Sequence, residues 1–355
     1  MRELLYDCLY MDNGFFTSSD ENLMVNILES LSLIFEPHRF FLQQMYSNLP
    51  ILQESLDRSL NQETADIVKV LGLSYNRITD TLYASKVSLK ENADSKRKVI
   101  SSIAENFDVL QTCGPILSRA RLFAHSLQCT KRLDWDQKLP PEKIKEWKNI
   151  CAQVERSREV EIARYVGDRN GDYSLICFTD ASKLMVGCVL YLKENSSGKV
   201  SFLIAKNRIV SHNMDGKTIP KLELHGLCLG VEIAEEIMKE LTGENSLVPI
   251  SISKIYLFSD SMVALSWVDS FVNKLSKMQN CNSFVMNRLE RILVACEKFP
   301  MHFCFISGHE NPADLITRAV SYQQFMKSNY INGPAFLNKQ DCDSMNLYSF
   351  CVPHR

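Results

Sequence analysis

Four acidic residues in the second half of the chain stand where predicted secondary-structure elements begin or end. Asp180 and Asp260 each end an apolar, strand-like run. Glu223 lies one turn into a long predicted helix, and Asp314 lies in the first turn of the last predicted helix. Carboxylates that meet at one site repel each other and need cations to stay ionised together. Oxygen ligands favour Mg2+ or Mn2+, and two such ions can clamp the attacking water and the leaving oxygen of a phosphodiester.

Each carboxylate, taken alone, also has a purely structural explanation. Asp260 could cap the helix that follows it, and Asp314 could cap its own helix behind Asn311. Glu223 could simply favour the positive end of the helix dipole, and Asp180 could start a turn. Both interpretations stay open for each residue, but the joint placement of all four beside one predicted sheet favours a shared site.

The elements that would position these residues are typical of an α/β domain. Glu223 begins a stripe of residues, spaced 4-3-4-3-4 as far as Leu241, that occupies one helix face and should point at the sheet. Three sequential strands followed by alternating helices and strands predict a mixed five-stranded sheet with flanking helices. The predicted strands are 174–180, 185–192, 200–206, 254–258 and 301–306, and the predicted helices are 220–241, 261–271, 283–298 and 312–325.

The first half of the chain is predicted to be α+β. Asn13-Gly14 between apolar runs predicts a hairpin turn, and residues 68–75 predict a strand with 80–83 as its hairpin partner. Gly114-Pro115 interrupts a helical pattern over residues 92–128. We expect four segments: residues 1–150, a linker helix and turn at 151–171, the α/β domain at 172–325, and an irregular tail at 326–355.

The composition is that of a globular protein, with 45% hydrophobic and 23% charged residues among 355. The formal net charge of -2 does not by itself indicate nucleic-acid binding, which would need a local basic face. The twelve cysteines form no Cys-x-x-Cys pair, which favours a reduced chain without a structural zinc. We see no signal peptide and no membrane-spanning run, and we expect an intracellular protein of the cytoplasm or nucleus.

Four short segments around the carboxylates resemble the motifs of the ribonuclease H fold in BEL/Pao-type LTR retrotransposon polyproteins. They are Phe-Thr-Asp-Ala-Ser at 178–182, Lys-Leu-Glu-Leu at 221–224, Phe-Ser-Asp-Ser at 258–261 and Asn-Pro-Ala-Asp at 311–314. Residues 205–209, 265–267 and 284–288 resemble the flanking segments of that subfamily. The resemblance covers about residues 172 to 322, and it implies a ribonuclease H-like fold.

The resemblance also implies an activity, a pair of Mg2+ or Mn2+ ions, and a role for each carboxylate. The activity is hydrolysis of the RNA strand of an RNA–DNA hybrid. Asp180 would bridge both ions, while Glu223 and Asp260 would hold the ion at the leaving-group side. Asp314 would hold the ion that activates water. His309 could assist metal or product release, or it could be a solvated loop residue.

Residues 1 to about 150 resemble the end of a reverse-transcriptase palm, its thumb and its connection. Leu-Tyr-Met-Asp-Asn at 9–13 resembles the Tyr-x-Asp-Asp hairpin, and residues 45–48, 71–75 and 133–136 resemble later segments. Asn13 stands where the second Asp is expected beside Asp12, and the chain starts at this hairpin. We therefore expect a degenerate polymerase site, in a chain that could be part of a larger retroelement polyprotein.

Basic residues around Glu223 could meet phosphates, although a solvated surface is an equally good explanation. They are Lys206, Arg208, Lys217 and Lys221, with Arg288 on a later helix. The expected partner is an RNA–DNA hybrid or another nucleic acid, and no membrane is expected. The alternative function is that of a non-catalytic nucleic-acid-binding protein or an inactive retrotransposon remnant.

Overall fold

A computed structural model describes most of the chain. The described residues are 8–11, 13–18, 20–85, 87–130, 133–157, 160–168, 170–210, 218–242, 250–273, 282–338 and 349–352. Among the described helices, even the 24-residue one at Ile219–Thr242 does not combine the length and the apolar character needed to cross a membrane.

Short strands and helices alternate in the upstream part, and longer ones follow. The upstream elements are β1 (Leu9–Tyr10), β2 (Asn13–Gly14), α1 (Glu21–Phe35), α2 (Pro50–Leu60), β3 (Ile67–Val70), β4 (Leu73–Asn76), β5 (Thr81–Ala84), α3 (Lys96–Ala104), α4 (Gly114–Cys129), α5 (Pro141–Arg156) and β6 (Ile162–Ala163). The later ones are β7 (Asp172–Ala181), β8 (Met185–Glu194), β9 (Val200–Ile209), α6 (Ile219–Thr242), β10 (Ser251–Ser259), α7 (Met262–Asn273), α8 (Ser283–Lys298), β11 (Met301–Phe305), α9 (Asp314–Arg318), α10 (Tyr322–Met326) and β12 (Ser349–Val352).

The main sheet is mixed, as predicted, and its strands lie in the order β12-β11-β10-β7-β8-β9. Strands β7, β8 and β9 form an antiparallel meander, while β10 and β11 run parallel to β7. Thr179 pairs with Ser259, so the carboxyl ends of β7 and β10 lie side by side. This placement is what the chemistry needs, because Asp180 and Asp260 follow those two residues.

The sheet has six strands among the described residues, whereas the sequence predicts five and an irregular tail. The sixth strand, Ser349–Val352, pairs antiparallel with β11, with Met301 opposite Val352. Phe350 stacks on Phe303 at 5.4 Å, and Val352 is buried. A segment of four residues is too short to show the alternating pattern that predicts a strand. The strand β12 forms because the backbone groups at the edge of β11 would otherwise be unpaired.

Other local differences from the sequence predictions come from residues with positive φ. The predicted closing helix over 312–325 is two short helices, because Ala319 adopts φ 54° and ends the first of them at Arg318. The predicted strand over 68–75 is a hairpin that turns at Leu71 and Gly72, whose φ values are 49° and 83°. Asn13 pairs with Tyr10, so it lies in the strand after the turn and not in the turn itself.

Two hydrophobic cores cover the two faces of the main sheet. One face packs on α6, α7 and α8. The other face packs on α3, α4 and α5, and that core extends from Ala84 through Trp147 to Tyr330. The backbone N–H of Ala205 on β9 donates a 2.9 Å hydrogen bond to the carbonyl oxygen of Leu110. The predicted division near residue 172 stays a prediction, but the segments on both sides of it share one core.

Candidate active site

Two neighbouring strands bring the first pair of carboxylates together. Asp180 lies at the end of β7 and is 2% exposed, and Asp260 directly follows β10 and is partly buried. Asp180 accepts a hydrogen bond from the hydroxyl of Thr317. An ionised carboxylate this deeply buried needs such partners, because burial disfavours its charged form.

Glu223 reaches these two residues because α6 approaches β7 unusually closely. An added Cβ at Gly226 would lie 2.9 Å from the backbone oxygen of Asp180, and one at Gly230 would overlap the side chain of Thr179. Only glycine leaves room for a backbone at this distance. The two glycines, one turn apart, therefore bring the first turn of α6 and its Glu223 down onto the end of the strand.

The three carboxylates form one tight group. One oxygen from each of Asp180, Glu223 and Asp260 lies within 4.8 Å of the other two. The Oε2 atom of Glu223 is buried and has no hydrogen-bond partner among the described residues. A buried polar atom of this kind normally has a partner, so its position suits a group that the protein itself does not provide.

Asp314 lies beside this group but is held by other contacts. It begins α9 and forms an ion pair with Arg318, one turn along the same helix. Asn311 fixes the preceding loop, because its Nδ2 donates a 2.9 Å hydrogen bond to the carbonyl oxygen of Thr179 on β7. Asp314 is close enough to raise the pKa of Asp180, so the fourth carboxylate belongs to the same electrostatic environment.

Burial and mutual repulsion raise the pKa values of all four carboxyl groups. Burial is the largest cause for Glu223, and the charges of Asp180 and Asp260 add to it, raising its pKa to about 9. Burial, with repulsion from Asp260 and Asp314, raises the pKa of Asp180 to about 6, against the opposing effect of Thr317. The pKa values of Asp260 and Asp314 are also raised, mainly by burial. Without cations the four groups cannot all be ionised at neutral pH.

Sequence reasoning missed two residues of the site, Thr317 and Arg318. Thr317 is buried and donates to Asp180, and the charge of Arg318 opposes the raised pKa of every one of the four carboxyl groups. Their spacing of three and four residues from Asp314 places all three on one face of a helix, which was the signal available in the sequence.

His309 lies in the loop beside Asp260. Its Nδ1 is 2.6 Å from the hydroxyl of Ser307, and the side chain is exposed. A Cβ added at the adjacent Gly308 would lie 2.8 Å from Oδ2 of Asp260, so this loop runs directly over that carboxylate. The structure therefore places His309 near the site without a contact to the carboxylates among the described interactions.

The described residues among the predicted basic ones lie on β9, α6 and α8. Lys206 and Arg208 lie on the edge strand β9, and Lys221 lies two residues before Glu223. Arg288 packs over the ring of Phe284, with its guanidinium carbon 3.4 Å from the ring centre. Lys217 and the polymerase-site Asp12 lie outside the described residues.

Arg208 and Arg288 approach the same part of α6. Burial is the largest cause of a lowered pKa for His225, and the charges of Arg288 and Arg208 bring that pKa to about 4. Arg208 and Arg288 therefore lie near one side chain of α6, and we call them, together with Lys206 and Lys221, the basic patch. The patch adjoins the first turns of α6, which carry Glu223.

Comparison with known families finds a match that covers most of this site. Residues 95–261 match the family model described as the Pao retrotransposon-like RNaseH-like domain. The match includes Asp180, Glu223 and Asp260 and ends before Asp314. It confirms the predicted retrotransposon resemblance and the RNase H-like fold, but it starts at Ser95, the N-cap of α3, so the family's domain also includes the upstream helices.

Several solved structures resemble parts of the chain at low sequence identity. The N-terminal RNase H domain of a Mycobacterium tuberculosis protein, as a fusion with maltose-binding protein, is 10% identical with a TM-score of 0.29, covering 44% of this chain and 98% of that one. An RNase H1 from the halophilic archaeon Halobacterium salinarum is 10% identical with a TM-score of 0.27, covering 44% and 100%. The foamy viral protease-reverse transcriptase in complex with dsDNA is 11% identical with a TM-score of 0.39, covering 73% and 51%. No curated protein matches the chain.

Proposed function

We propose that this chain is a ribonuclease H-type endonuclease that cleaves the RNA strand of RNA–DNA hybrids with the help of two Mg2+ or Mn2+ ions. The observation that carries the proposal is the group formed by Asp180, Glu223 and Asp260, whose oxygens lie within 4.8 Å of one another. The match of residues 95–261 to the model of an RNase H-like family supports it independently.

The residues present fit a divalent cation. All three groups offer carboxylate oxygens, which are the donors that Mg2+ and Mn2+ prefer. The buried Oε2 of Glu223 lacks a hydrogen-bond partner among the described residues, and a cation would provide one. The raised pKa values of Glu223 and Asp180 also fit a bound cation, because its positive charge would allow both carboxyl groups to be ionised at the same time.

In this proposal Asp180 would help to hold both ions, Glu223 and Asp260 would hold the ion at the leaving-group side, and Asp314 would hold the ion at the water side. Bound divalent cations supply an activated water and stabilise the leaving oxygen of the phosphodiester. The chain's own contribution is orientation. The hydroxyl of Thr317 fixes Asp180, and the amide of Asn311 ties the loop before Asp314 to β7.

The substrate would lie across the basic patch, whose residues come from β9, α6 and α8. Lys206, Arg208, Lys221 and Arg288 would contact backbone phosphates, which a chain of net charge -2 can attract only through such a local patch. Contacts to 2′-hydroxyl groups would select the RNA strand. His309, in the loop over Asp260, would assist release of the cleaved product.

A cleavage assay tests the proposal. The full chain is given an end-labelled RNA–DNA hybrid, with RNA–RNA and DNA–DNA duplexes in parallel, in Mg2+ or Mn2+. We expect cleavage of the hybrid's RNA strand only, and its loss in Asp180→Asn. Asp136→Asn is the matched control, because Asp136 is an exposed aspartate paired with Arg97 far along the chain. Hybrid binding without cleavage above the Asp180→Asn level would favour the non-catalytic alternative.

We also propose that the chain has no polymerase activity. Asn13 is an amide at the position where the resemblance expects the second metal-binding Asp, and its backbone pairs with Tyr10 in the hairpin. An amide cannot supply the negative charge of a carboxylate ligand. Primer extension on RNA and DNA templates tests this, and extension above a no-protein control would contradict it.

A further inference from the structure

Asp314 differs from the other three carboxylates of the site in its partner. The side chains of Asp314 and Arg318, one turn apart on α9, form an ion pair, and they are 26% and 65% exposed. Asp180, Glu223 and Asp260 instead face one another within 4.8 Å, and Asp314 is not part of that group. The site therefore has one position shaped for a cation by three carboxylates, and a second position at which a guanidinium already contacts the carboxylate.

We propose that Arg318 is a tethered competitor for the second metal ion: its guanidinium occupies Asp314 and must leave that carboxylate before a divalent cation can bind between Asp314 and Asp180. The inference rests on the proposed function only in assuming that the carboxylates take divalent cations. The proposal predicts that a divalent cation binds more tightly at the position formed by Asp180, Glu223 and Asp260 than at the position next to Asp314.

The geometry allows this exchange. Arg318 is the last residue of α9, because Ala319 turns into the left-handed region with φ 54°. Its side chain is two-thirds exposed, so it can move into solvent without losing a buried contact. An exposed ion pair is weak, and displacing it should reduce the affinity of the second ion by a factor of about two to five.

Arg318 also has a second possible contact once it is displaced. A guanidinium released from a carboxylate keeps its charge and its fork of donors, which suits a phosphate oxygen. Binding of the second ion would then free a cation directly beside the site where a phosphodiester is cleaved. Substrate and the second ion would therefore favour the same position of this side chain.

Metal binding without any nucleic acid tests the proposal. Mn2+ is titrated into the full chain, and bound ions are counted by calorimetry and by the spin-resonance signal of free Mn2+. We expect Arg318→Gln to bind the second ion about two- to fivefold more tightly, with a smaller gain for the first ion, because the charge of Arg318 also acts on the other three carboxylates. Arg97→Gln is the control, because Arg97 forms an exposed ion pair with Asp136 outside the site. Arg318→Lys, which keeps the charge, should behave closely like the unmodified chain.

A double variant separates competition from a general charge effect. With Asp314→Asn in place, Arg318→Gln should lose its larger effect on the second ion and keep only the small effect that its charge has on both ions. Unchanged or weaker binding of the second ion in Arg318→Gln alone, or no second ion in that variant at all, would overturn the proposal. This experiment measures metal binding and involves no cleavage. Its result for Arg318 can therefore be told apart from the result of the hybrid-cleavage assay for the proposed function.

Discussion

The hydroxyl oxygen of Ser118 on α4 lies 3.1 Å from the carbonyl oxygen of Ile316 on α9, although 198 residues separate them in the chain. The Nδ2 of Asn207 on β9 donates to the same carbonyl at 3.3 Å and to the Ser118 hydroxyl. Ile316 immediately precedes Thr317, whose hydroxyl donates to Asp180. The upstream helix and the edge strand therefore hold the short helix that completes the carboxylate site.

Ser118→Ala should loosen α9 and lower activity. The substitution removes a fully buried hydroxyl and leaves the amide of Asn207 with one partner fewer, which should cost about 1–3 kcal/mol of unfolding free energy. We expect kcat for hybrid cleavage to fall more than KM rises, because Asp314 and Thr317 lose their support.

Ser126→Ala is the matched control for this prediction. It removes a hydroxyl from the same helix, and this hydroxyl donates a local hydrogen bond of 2.7 Å to the carbonyl oxygen of Phe123. Chemical denaturation and steady-state kinetics measure the two effects. Equal behaviour of the Ser118 and Ser126 variants would contradict a positioning role for α4.

The metal-free protein should lose stability as the pH rises from about 4 to 9. Folding raises the pKa of Asp180 from its ordinary 3.8 to about 6 and that of Glu223 from 4.5 to about 9, mainly through burial. The folded state thus binds these protons more tightly than the unfolded chain. The contribution is complete below the ordinary pKa values and is lost as the pH rises through the folded ones.

Thermal unfolding in a chelator measures this pH dependence. Glu223→Gln should unfold at a higher temperature than the unmodified chain, by roughly 3–6 °C at pH 9. The difference should shrink towards pH 4.5, and added Mg2+ should reduce it at high pH. Glu290→Gln, the same change on the exposed face of α8, is the control. A melting-temperature difference that is independent of pH would contradict burial of an ionisable Glu223.

Local patterns were enough to predict most of the main sheet and the elements that carry the carboxylates. The predicted helix over 283–298 has the same bounds in α8, and the helix predicted to start at Pro220 begins at Ile219 in α6. The expectation that Glu223 faces the sheet is met because its stripe is apolar at helical spacing. These helices and strands are determined by residues that are close together in the chain, so their pattern can be recognised in the sequence.

Features that depend on distant parts of the chain could not be predicted. The strand Ser349–Val352 exists through pairing with β11, and the break at Ala319 puts an alanine into a backbone region that its own side chain disfavours. The Thr317 hydroxyl reaches Asp180 across 137 residues. In each case packing against another element decides the local structure, and no local periodicity reveals it.

Gly226→Ala should displace Glu223 from the site. The added methyl group would lie 2.9 Å from the backbone oxygen of Asp180, and a backbone atom cannot move aside as a flexible side chain would. Helix α6 must shift away from β7, at a cost of about 1–3 kcal/mol. We expect weaker binding of the first Mn2+ ion and slower cleavage.

Glu236→Ala on the exposed side of α6 is the control for this change, and it should leave Mn2+ binding unaltered. Calorimetric titration of both variants gives the comparison. Normal affinity for the first ion in Gly226→Ala would show that the position of Glu223 does not depend on close packing of the helix.

Thr317→Val should shift the pH dependence of activity. The Thr317 hydroxyl donates to Oδ2 of Asp180 and lowers the pKa of that carboxyl, against the larger effect of burial. Valine keeps the shape and removes the donor, so the pKa of Asp180 should rise further. A metal ion must displace the proton from this carboxyl, and the acidic limb of the cleavage profile should therefore move to higher pH.

The size and specificity of that shift can both be measured. One lost hydrogen bond to a charged acceptor corresponds to about 1.5–3 kcal/mol, or roughly one to two pH units in metal-free protein, and to less when cations are bound. Thr317→Ser retains the hydroxyl and should restore the original profile. The pH dependence of kcat is recorded at saturating substrate for the unmodified chain and both variants. If Thr317→Val lowers kcat without moving the acidic limb, then Thr317 supports the fold of α9 and does not act on Asp180.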